Sequence, residues 1–319
     1  MVTSPAPTLL ALLCLLFPPI ADAAAIAEYE TTFTDSVRDR VLPIRIVHPA
    51  PLAAEHPVVL VSHGLGGSTE AMRYLGDHLA RAGWIVVHLQ HPGSDAAVLA
   101  GRRGRAALAA LRRSLRDPDD ALQRFRDPAF VLDALAEQGG GDGLLAGHLD
   151  LDRVAFAGHS YGARGALVAA GERIGPEALS FREPRIDAVV ALSPNLPRRG
   201  EPDYGEVAVP ILHVTGTEDG DPLARGRGFD PLRRTQPFER IEGVDQYLLV
   251  LDGADHATFG GRRLGTADER PGDRHHAEQV AEATRLFLDA RLRGDARARE
   301  ALVDAFPEAA RWSVKPADG

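Results

Sequence analysis

The sequence predicts an α/β fold in which a mostly parallel central sheet is flanked by helices. From about residue 40, short apolar runs alternate with helical patterns, as they do in α/β sheets. Several of the apolar runs are continuous stretches of Val, Ile and Leu, which are typical of strands buried on both faces of a parallel sheet. The chain has 319 residues and shows no repeat of fixed period, so we expect residues 25–319 to form a single domain.

The strands and helices of this fold can be placed from the apolar pattern. Candidate strands cover residues 41–47, 58–62, 84–89, 154–158, 186–192, 210–215 and 247–251. Helical patterns lie between them at residues 69–82, 128–138, 161–170 and 273–292. Asp127 and Pro128 are typical of a helix N-cap followed by proline in the first turn, and Gly294 is a candidate stop for the last long helix.

The N-terminus has the pattern of a secretory signal peptide. Residues 9–17 are apolar and rich in leucine, and a stretch of small residues follows at 21–24. We therefore predict a signal peptide at residues 1–24 with cleavage near Ala23, and a secreted or periplasmic protein. No Lys or Arg precedes the apolar run, so a disordered start of a cytosolic protein is the alternative. The run of about 12 residues is too short for a stable membrane span, which needs about 20.

Two residue types occur only once, and their scarcity excludes several kinds of chemistry. The only lysine is Lys315, near the C-terminus, so P-loops, Schiff bases and Ser–Lys dyads have no placed lysine. The only cysteine is Cys14, which leaves no cysteine nucleophile, cysteine zinc site or intramolecular disulfide. The formal charge of -9 argues against general nucleic-acid binding.

Two segments are longer than a minimal α/β unit needs. Residues 96–126 hold eight arginines among alanines and leucines at helical spacing. We predict a surface helix pair there, inserted before the helix that begins at Pro128; a lid or a membrane-docking element is the alternative. Residues 194–206 are polar and rich in proline, and they follow a strand, where loops carry binding function in this architecture.

The central chemical signal is Gly158-His159-Ser160-Tyr161-Gly162. This stretch matches the G-x-S-x-G pattern of a nucleophile elbow, a sharp turn from a strand into a helix. The two glycines let the backbones of strand and helix pass closely. An apolar strand runs into the pattern and an Ala-rich helix follows it, so we predict that Ser160 is a nucleophile.

A serine hydroxyl needs a base to take its proton, and only four of the histidines come after Ser160. His213 lies inside an apolar strand and is predicted to be a core residue. His275 and His276 open a long helix and are predicted to be solvated. His256 follows the strand at 247–251, in a loop where this kind of sheet places its base, so we predict that His256 is the base.

The acid that orients the base is expected after the strand at residues 210–215. Three carboxylates follow that strand, Glu218, Asp219 and Asp221. The spacing Gly-Thr-x-Asp favours Asp219, which would hold His256 in the useful tautomer and stabilise the imidazolium. Glu218 and Asp221 remain open as alternatives, as does a calcium site built from all three carboxylates.

A developing oxyanion needs backbone N–H donors, and the strand at 58–62 ends in a His-Gly loop that can supply one. We predict that the backbone N–H groups of Leu65 and Tyr161 form the oxyanion hole. His63 precedes Ser160 in the chain and is predicted to brace this loop. His159, beside the proposed nucleophile, is likewise predicted to be structural.

Together these motifs resemble the α/β-hydrolase superfamily. Within it, the chain resembles the dienelactone-hydrolase-like esterases and the platelet-activating-factor acetylhydrolase group. The resemblance covers roughly residues 30–295 and is carried by residues 38–46, 62–66, 158–162 and 253–256. It implies the α/β-hydrolase fold, with oxyanion donors at Leu65 and Tyr161. Dienelactone hydrolases proper use a cysteine nucleophile, so lactone hydrolysis does not transfer to a chain with Ser160.

The expected function is hydrolysis of short-chain acyl esters through an acyl-enzyme on Ser160, with His256 and Asp219 completing the triad. Small-molecule or lipid esters are the expected substrates, with short-acyl phospholipids and polyesters as open cases. No metal or organic cofactor is required by this chemistry. An acyltransferase that uses the same triad and a catalytically silent binding protein of the same fold are the alternatives.

Overall fold

The apolar runs of the sequence form one sheet in the computed structural model, which describes residues 24–197, 201–223, 229–303 and 305–317. The strands are β1 (Ile26–Asp35), β2 (Arg40–Pro49), β3 (His56–Ser62), β4 (Ile85–Leu89), β5 (Leu149–His159), β6 (Ala188–Leu192), β7 (Ile211–Glu218), β8 (Gln246–Asp255) and β9 (Arg311–Lys315). The helices are α1 (Arg73–Arg81), α2 (Gly104–Ser114), α3 (Pro118–Gly139), α4 (Tyr161–Ala170), α5 (Gln236–Arg240), α6 (His256–Phe259), α7 (Asp273–Leu292) and α8 (Ala296–Ala301).

Most of the sheet is parallel, which confirms the predicted α/β class. The strand order in the described part of the chain is β1-β2-β4-β3-β5-β6-β7-β8-β9. Strands β3 to β8 pair in parallel, whereas β1, β2 and β9 pair antiparallel at the two edges. The loops that follow β3, β5, β6, β7 and β8 therefore leave the sheet at the same edge.

The core lies on both faces of the sheet. Because side chains alternate along a strand, Val59 and Val61 of β3 pack on the side of α1 and α7, while Val58 and Leu60 pack on the side of α3 and α4. All four side chains are buried. This double burial explains the continuous apolar runs of the inner strands.

The edge strands β1 and β9 were not predicted, because their pattern differs from that of the inner strands. In β1 the buried and exposed positions largely alternate, with charged or polar residues on the exposed face. Such a strand has no continuous apolar run. Helix α1 also begins at Arg73 rather than at residue 69, because Met72 has a left-handed conformation with φ of 57°.

The prediction that a helix starts at Pro128 with Asp127 as its N-cap is wrong. Helix α3 starts ten residues earlier, at Pro118, and Pro128 lies in its interior. The N-cap is Asp117, whose carboxylate accepts hydrogen bonds from the backbone N–H groups of Asp119 and Asp120. The expected helix pair at residues 96–126 is therefore one separate helix, α2, followed by the first turns of α3.

The carboxylate of Asp127 has a different role from capping. It is buried and forms ion pairs with Arg38 and Arg40, whose nitrogens lie 2.9 and 2.8 Å from its oxygens. His91 Nδ1 lies 2.8 Å from the same carboxylate. Asp127 is thus the common counter-ion for residues from two strand ends, and it ties α3 to the sheet.

Two sequence predictions concern residues that the structure leaves out. The predicted signal peptide falls on residues 1–24, of which residues 1–23 lie outside the described part of the chain. Residues 198–200 of the predicted binding loop also lie outside it. None of the helices in the described ranges combines the length and the apolarity needed to span a bilayer.

Candidate active site

Ser160 lies at a strained turn between β5 and α4. Its φ and ψ are 56° and -112°, a conformation that costs a non-glycine residue free energy and is found mainly at functional sites. The flanking glycines are required by space. A Cβ on Gly158 would lie 2.3 Å from the carbonyl of Gly162, and a Cβ on Gly162 would lie 2.0 Å from the carbonyl oxygen of Ser62. The turn therefore has the geometry predicted from the G-x-S-x-G pattern.

His256 lies within hydrogen-bond distance of Ser160. Its Nε2 is 2.9 Å from Ser160 Oγ, although the two residues are 96 positions apart in the chain. His256 is the first residue of the short helix α6, directly after β8. The Asp255 carboxylate accepts hydrogen bonds from the backbone N–H groups of Ala257 and Thr258 and so holds this turn.

Of the three candidate acids, Asp219 is the one beside His256. Asp219 Oδ1 lies 3.0 Å from His256 Nδ1, and the carboxylate is buried at the end of β7. Glu218 is exposed, and the Asp221 carboxylate instead accepts a hydrogen bond from the backbone N–H of Leu223. Within the described ranges, no group of three or more acidic, His or Cys side chains is arranged to hold a metal ion. The three carboxylates therefore give no support to a calcium site.

The surroundings of Asp219 keep its carboxylate ionised. Burial alone would raise the pKa of Asp219, but the hydrogen bond from His256 and the positive charge of Arg234 outweigh it, so the pKa is lowered. Arg234 Nε lies 2.9 Å from Asp219 Oδ1. Thr215 Oγ1 donates a further hydrogen bond of 2.8 Å to Oδ2. An ionised acid at this position can stabilise a protonated His256.

Ser193 is a member of this site that the sequence analysis missed. Its hydroxyl donates to Asp219 Oδ1 over 2.8 Å, and its oxygen lies 2.7 Å from His256 Nδ1. Ser193 directly follows β6, which neighbours β7 in the sheet, and it has a positive φ of 52°. A polar residue at the carboxyl end of a predicted strand was the available signal.

Arg234 was missed as well. It comes 15 positions after Asp219, and no motif marks it. Besides pairing with the Asp219 carboxylate, Arg234 Nη1 donates to the carbonyl oxygen of Pro194 over 2.8 Å. Its side chain is buried, so it fixes the acid and the loop after β6 in one place.

The loop predicted to supply an oxyanion donor lies against Ser160. A Cβ on Gly64 would lie 3.3 Å from Ser160 Cβ, which shows how closely the loop backbone approaches. Within the described ranges, the backbone N–H groups of Leu65 and Tyr161 donate no hydrogen bond to another protein group. Both are thus free to donate to a bound oxyanion.

His63 and His159 brace the site, in line with their predicted structural roles. His63 Nδ1 donates to the carbonyl oxygen of Gly64 over 2.7 Å, and its Nε2 accepts from the backbone N–H of His91. His159 Nε2 donates to the carbonyl oxygen of His256 over 2.9 Å. Burial, with the nearby charge of His256, lowers the pKa of His159 to about 3, so His159 is neutral at physiological pH.

A second Ser–His–Asp arrangement is buried behind the loop that follows β3. Ser62 Oγ lies 2.9 Å from His91 Nε2, and His91 Nδ1 lies 2.8 Å from Asp127. The buried Arg124 donates to Ser62 Oγ over 2.9 Å and also to the carbonyl oxygen of His63. Because all of these side chains are buried, this arrangement cannot meet a substrate, and it acts as a brace for the loop.

The other candidate histidines lie away from the site. His213 is buried in β7, where its Nε2 lies 3.0 Å from Gln246 Oε1, and burial lowers its pKa to about 3. His275 is largely exposed at the start of α7. His276 Nε2 donates to the carbonyl oxygen of Asp252. These placements match the predicted core and surface roles.

A cavity of about 530 Å³ lies near the junction of β5 and α4. It is lined by residues of α2 and its C-terminal end, of α4, and of the loop after β6: Arg112, Leu115, Arg116, Arg164, Asn195, Leu196 and Pro197. The backbone N–H of Asn195 donates to the carbonyl oxygen of Ser160 over 3.0 Å. The arginine-rich insertion and the loop at 194–197 therefore both line this cavity, and Asn195 connects it to the backbone of Ser160.

A comparison with models of known protein families and a comparison with curated proteins both found no match to the chain.

Proposed function

We propose that this chain is a serine carboxylic-ester hydrolase with the α/β-hydrolase fold, acting on short-chain acyl esters. The observation that supports this most directly is the continuous chain of hydrogen-bond contacts from Ser160 through His256 to Asp219. The three residues follow β5, β8 and β7 at one edge of a parallel sheet, in the chain order Ser, Asp, His that this fold uses.

The proposed mechanism has two steps. Ser160 Oγ attacks the ester carbonyl carbon while its proton passes to His256 Nε2, and Asp219 stabilises the resulting imidazolium. The carbonyl oxygen becomes an oxyanion that accepts hydrogen bonds from the backbone N–H groups of Leu65 and Tyr161. His256 then returns the proton to the leaving alcohol. Water, deprotonated by His256, attacks the acyl-enzyme and releases the acid and Ser160.

The test is the Ser160→Ala variant assayed on p-nitrophenyl acetate and butyrate. We expect kcat/KM to fall by about ten-thousandfold or more, because the nucleophile and the base act as a unit. A fluorophosphonate probe should label the wild-type protein and not the variant. Ser180→Ala, which changes an exposed serine, is the matched control and should keep both activity and labelling. Wild-type rates in Ser160→Ala with an unchanged circular dichroism spectrum would refute the proposal.

A panel of p-nitrophenyl esters with acyl chains from about two to twelve carbons tests the substrate class. Short acyl chains are the expectation from the sequence, so we expect kcat/KM to fall steeply beyond about four carbons. A maximum at long chains would instead identify a lipase.

We also propose that residues 1–24 are a signal peptide and that the protein is secreted or periplasmic. This rests on the apolar run and the small-residue stretch of the N-terminus. N-terminal sequencing of protein recovered from the periplasm or medium tests it, since the mature chain should begin near residue 24.

A further inference from the structure

The cavity near the junction of β5 and α4 is rich in positively charged side chains. Three of its lining side chains are arginines, Arg112, Arg116 and Arg164. One wall of the cavity contacts the backbone of the proposed nucleophile, since the backbone N–H of Asn195 donates to the carbonyl oxygen of Ser160. The cavity therefore lies close to the residue that carries the proposed nucleophile.

The positive charge of this cavity is largely unneutralised. Within the described ranges, no carboxylate lies within ion-pair distance of Arg112 or Arg116. Arg112 donates one hydrogen bond, to the carbonyl oxygen of Leu223, which carries no formal charge. Arg164 is paired through Nε with the buried Glu172 at 3.3 Å. Arginines that face a cavity without counter-ions are suited to bind an anion from solution.

The surroundings strengthen this interpretation. A second cavity, of about 550 Å³, adjoins the first along α2 and shares Arg112 and Arg116 with it; its other charged lining residues are Arg105, Arg113 and Asp117, so arginines outnumber carboxylates there by four to one. The chain as a whole carries a formal charge of -9. This group of arginines is therefore a positive region in a protein whose net charge is negative. Local positive charge at a cleft raises the local concentration of anionic ligands.

We propose that this arginine-lined cavity is an anion-binding subsite, and that the natural substrate is an ester carrying a carboxylate or phosphate group. This inference rests on the proposed esterase function of Ser160. The guanidinium groups of Arg112 and Arg116 bind the anionic group, and the apolar side chains of Leu115 and Leu196 contact the carbon chain that joins it to the ester. Both carboxylate and phosphate match the fork of an arginine, so the two share one recognition chemistry.

The test compares esters that carry an anionic group with neutral esters of similar size. On the alcohol side, para-acetoxybenzoate and para-acetoxyphenyl phosphate are compared with the neutral para-acetoxybenzamide. On the acyl side, methyl hydrogen glutarate is compared with the neutral methyl glutaramate. Hydrolysis of each ester is measured in a pH-stat from the release of acid. The quantity compared is the ratio of kcat/KM for each anionic ester to kcat/KM for its neutral partner.

We expect the wild-type ratio to be about ten or more for at least one pair, since hydrogen bonds to a charged group are worth about tenfold or more. In Arg112→Gln/Arg116→Gln this ratio should fall to about one. Arg103→Gln, which removes an exposed arginine at the start of the same helix that lines neither cavity, should keep the wild-type ratio. The pair that responds identifies the side of the ester that carries the anion, and the two anionic acetates separate carboxylate from phosphate.

Two results would overturn the inference in distinguishable ways. If the wild-type protein hydrolysed the neutral esters but showed a ratio near one for every pair, or if the double variant kept the wild-type ratio, the anion subsite would be wrong and the esterase function would stand. If neither neutral nor anionic esters were hydrolysed by the wild-type protein, the proposed function would fail and the inference with it.

Discussion

Ser193 joins the two polar partners of the proposed nucleophile. Its hydroxyl donates to Asp219 and its oxygen lies near His256 Nδ1, so the N–H of His256 faces two acceptors at 2.7 and 3.0 Å. A histidine held by two acceptors has less freedom to rotate, and rotation of the imidazole would break its contact with Ser160. We therefore regard Ser193 as a positioning residue for the proposed base.

The variants Ser193→Ala and Ser193→Gly test this role. We expect kcat on p-nitrophenyl butyrate to fall about tenfold or more with KM little changed, because a hydrogen bond to a charged group is lost while the cavity is untouched. The glycine variant also relieves the positive φ of 52°, so equal losses in both variants would assign the effect to the hydroxyl. A change in KM alone, or wild-type kcat in both, would contradict a positioning role.

At this scale the sequence analysis found the residues that belong to local patterns and missed those that do not. Ser160 is marked by its flanking glycines, and His256 and Asp219 are marked by following predicted strands in the expected chain order. Arg234 and Arg124 carry no such mark. Arg234 lies 15 positions from Asp219 and Arg124 lies 62 positions from Ser62, and only tertiary packing brings each arginine to its partner.

The junction of β5 and α4 is the element on which the site depends. Gly162 passes so close to the end of β3 that a Cβ would lie 2.0 Å from the carbonyl oxygen of Ser62. Gly165 lies three positions later in the same helix, and a Cβ there would meet no atom within 4 Å. The two glycines share a helix, but one is required by space and the other is not.

We expect Gly162→Ala to lower the free energy of unfolding by about 3 kcal/mol, because the backbone of β3 cannot yield as a side chain could. Gly165→Ala should raise it by about 1 kcal/mol, because alanine favours the helix and the space is free. Urea unfolding of both variants at neutral pH measures the two changes. Equal changes of the same sign would show that the close approach at Gly162 is not a constraint.

Helix α3 shows where element prediction failed and why. The pair Asp127-Pro128 has the local pattern of a helix start, yet the helix runs through it from Pro118. The buried carboxylate of Asp127 is held by Arg38, Arg40 and His91, whose positions depend on other elements. This tertiary network stabilises a helical proline that local preference alone would place at a terminus.

The molecule as a whole holds several histidines in its interior. Burial lowers the pKa of His88, His159 and His213 to about 3 in each case. Unfolding exposes them to water, where the pKa returns to about 6.5. Below that pH the unfolded chain binds protons that the folded protein does not, so stability is full above about pH 6.5 and is lost as the pH falls towards 3.

When the pH falls from 8 to 5, protonation of each of these histidines in the unfolded chain should lower the free energy of unfolding by about 2 kcal/mol. His213→Gln keeps a hydrogen-bonding group near Gln246 and should remove about that much of the pH dependence. His275→Gln, at an exposed position, should leave it unchanged. Urea unfolding across this pH range measures the slopes, and identical slopes in wild type and His213→Gln would contradict the expectation.

The class of the fold and the candidate catalytic residues followed from short-range patterns, because apolar runs, the spacing of G-x-S-x-G and the position of a residue after a predicted strand are all properties of a few neighbouring residues. Other features did not follow from such patterns. These are the edge strands, the start of α3, the supporting contacts of Ser193 and Arg234, and the arginine-lined cavity near Ser160. Each depends on which elements become neighbours when the sheet assembles. The eight arginines of residues 96–126 illustrate the difference: the sequence shows their helical spacing, whereas the packing of α2 beside the loop after β6 turns part of that helix surface into the wall of a cavity.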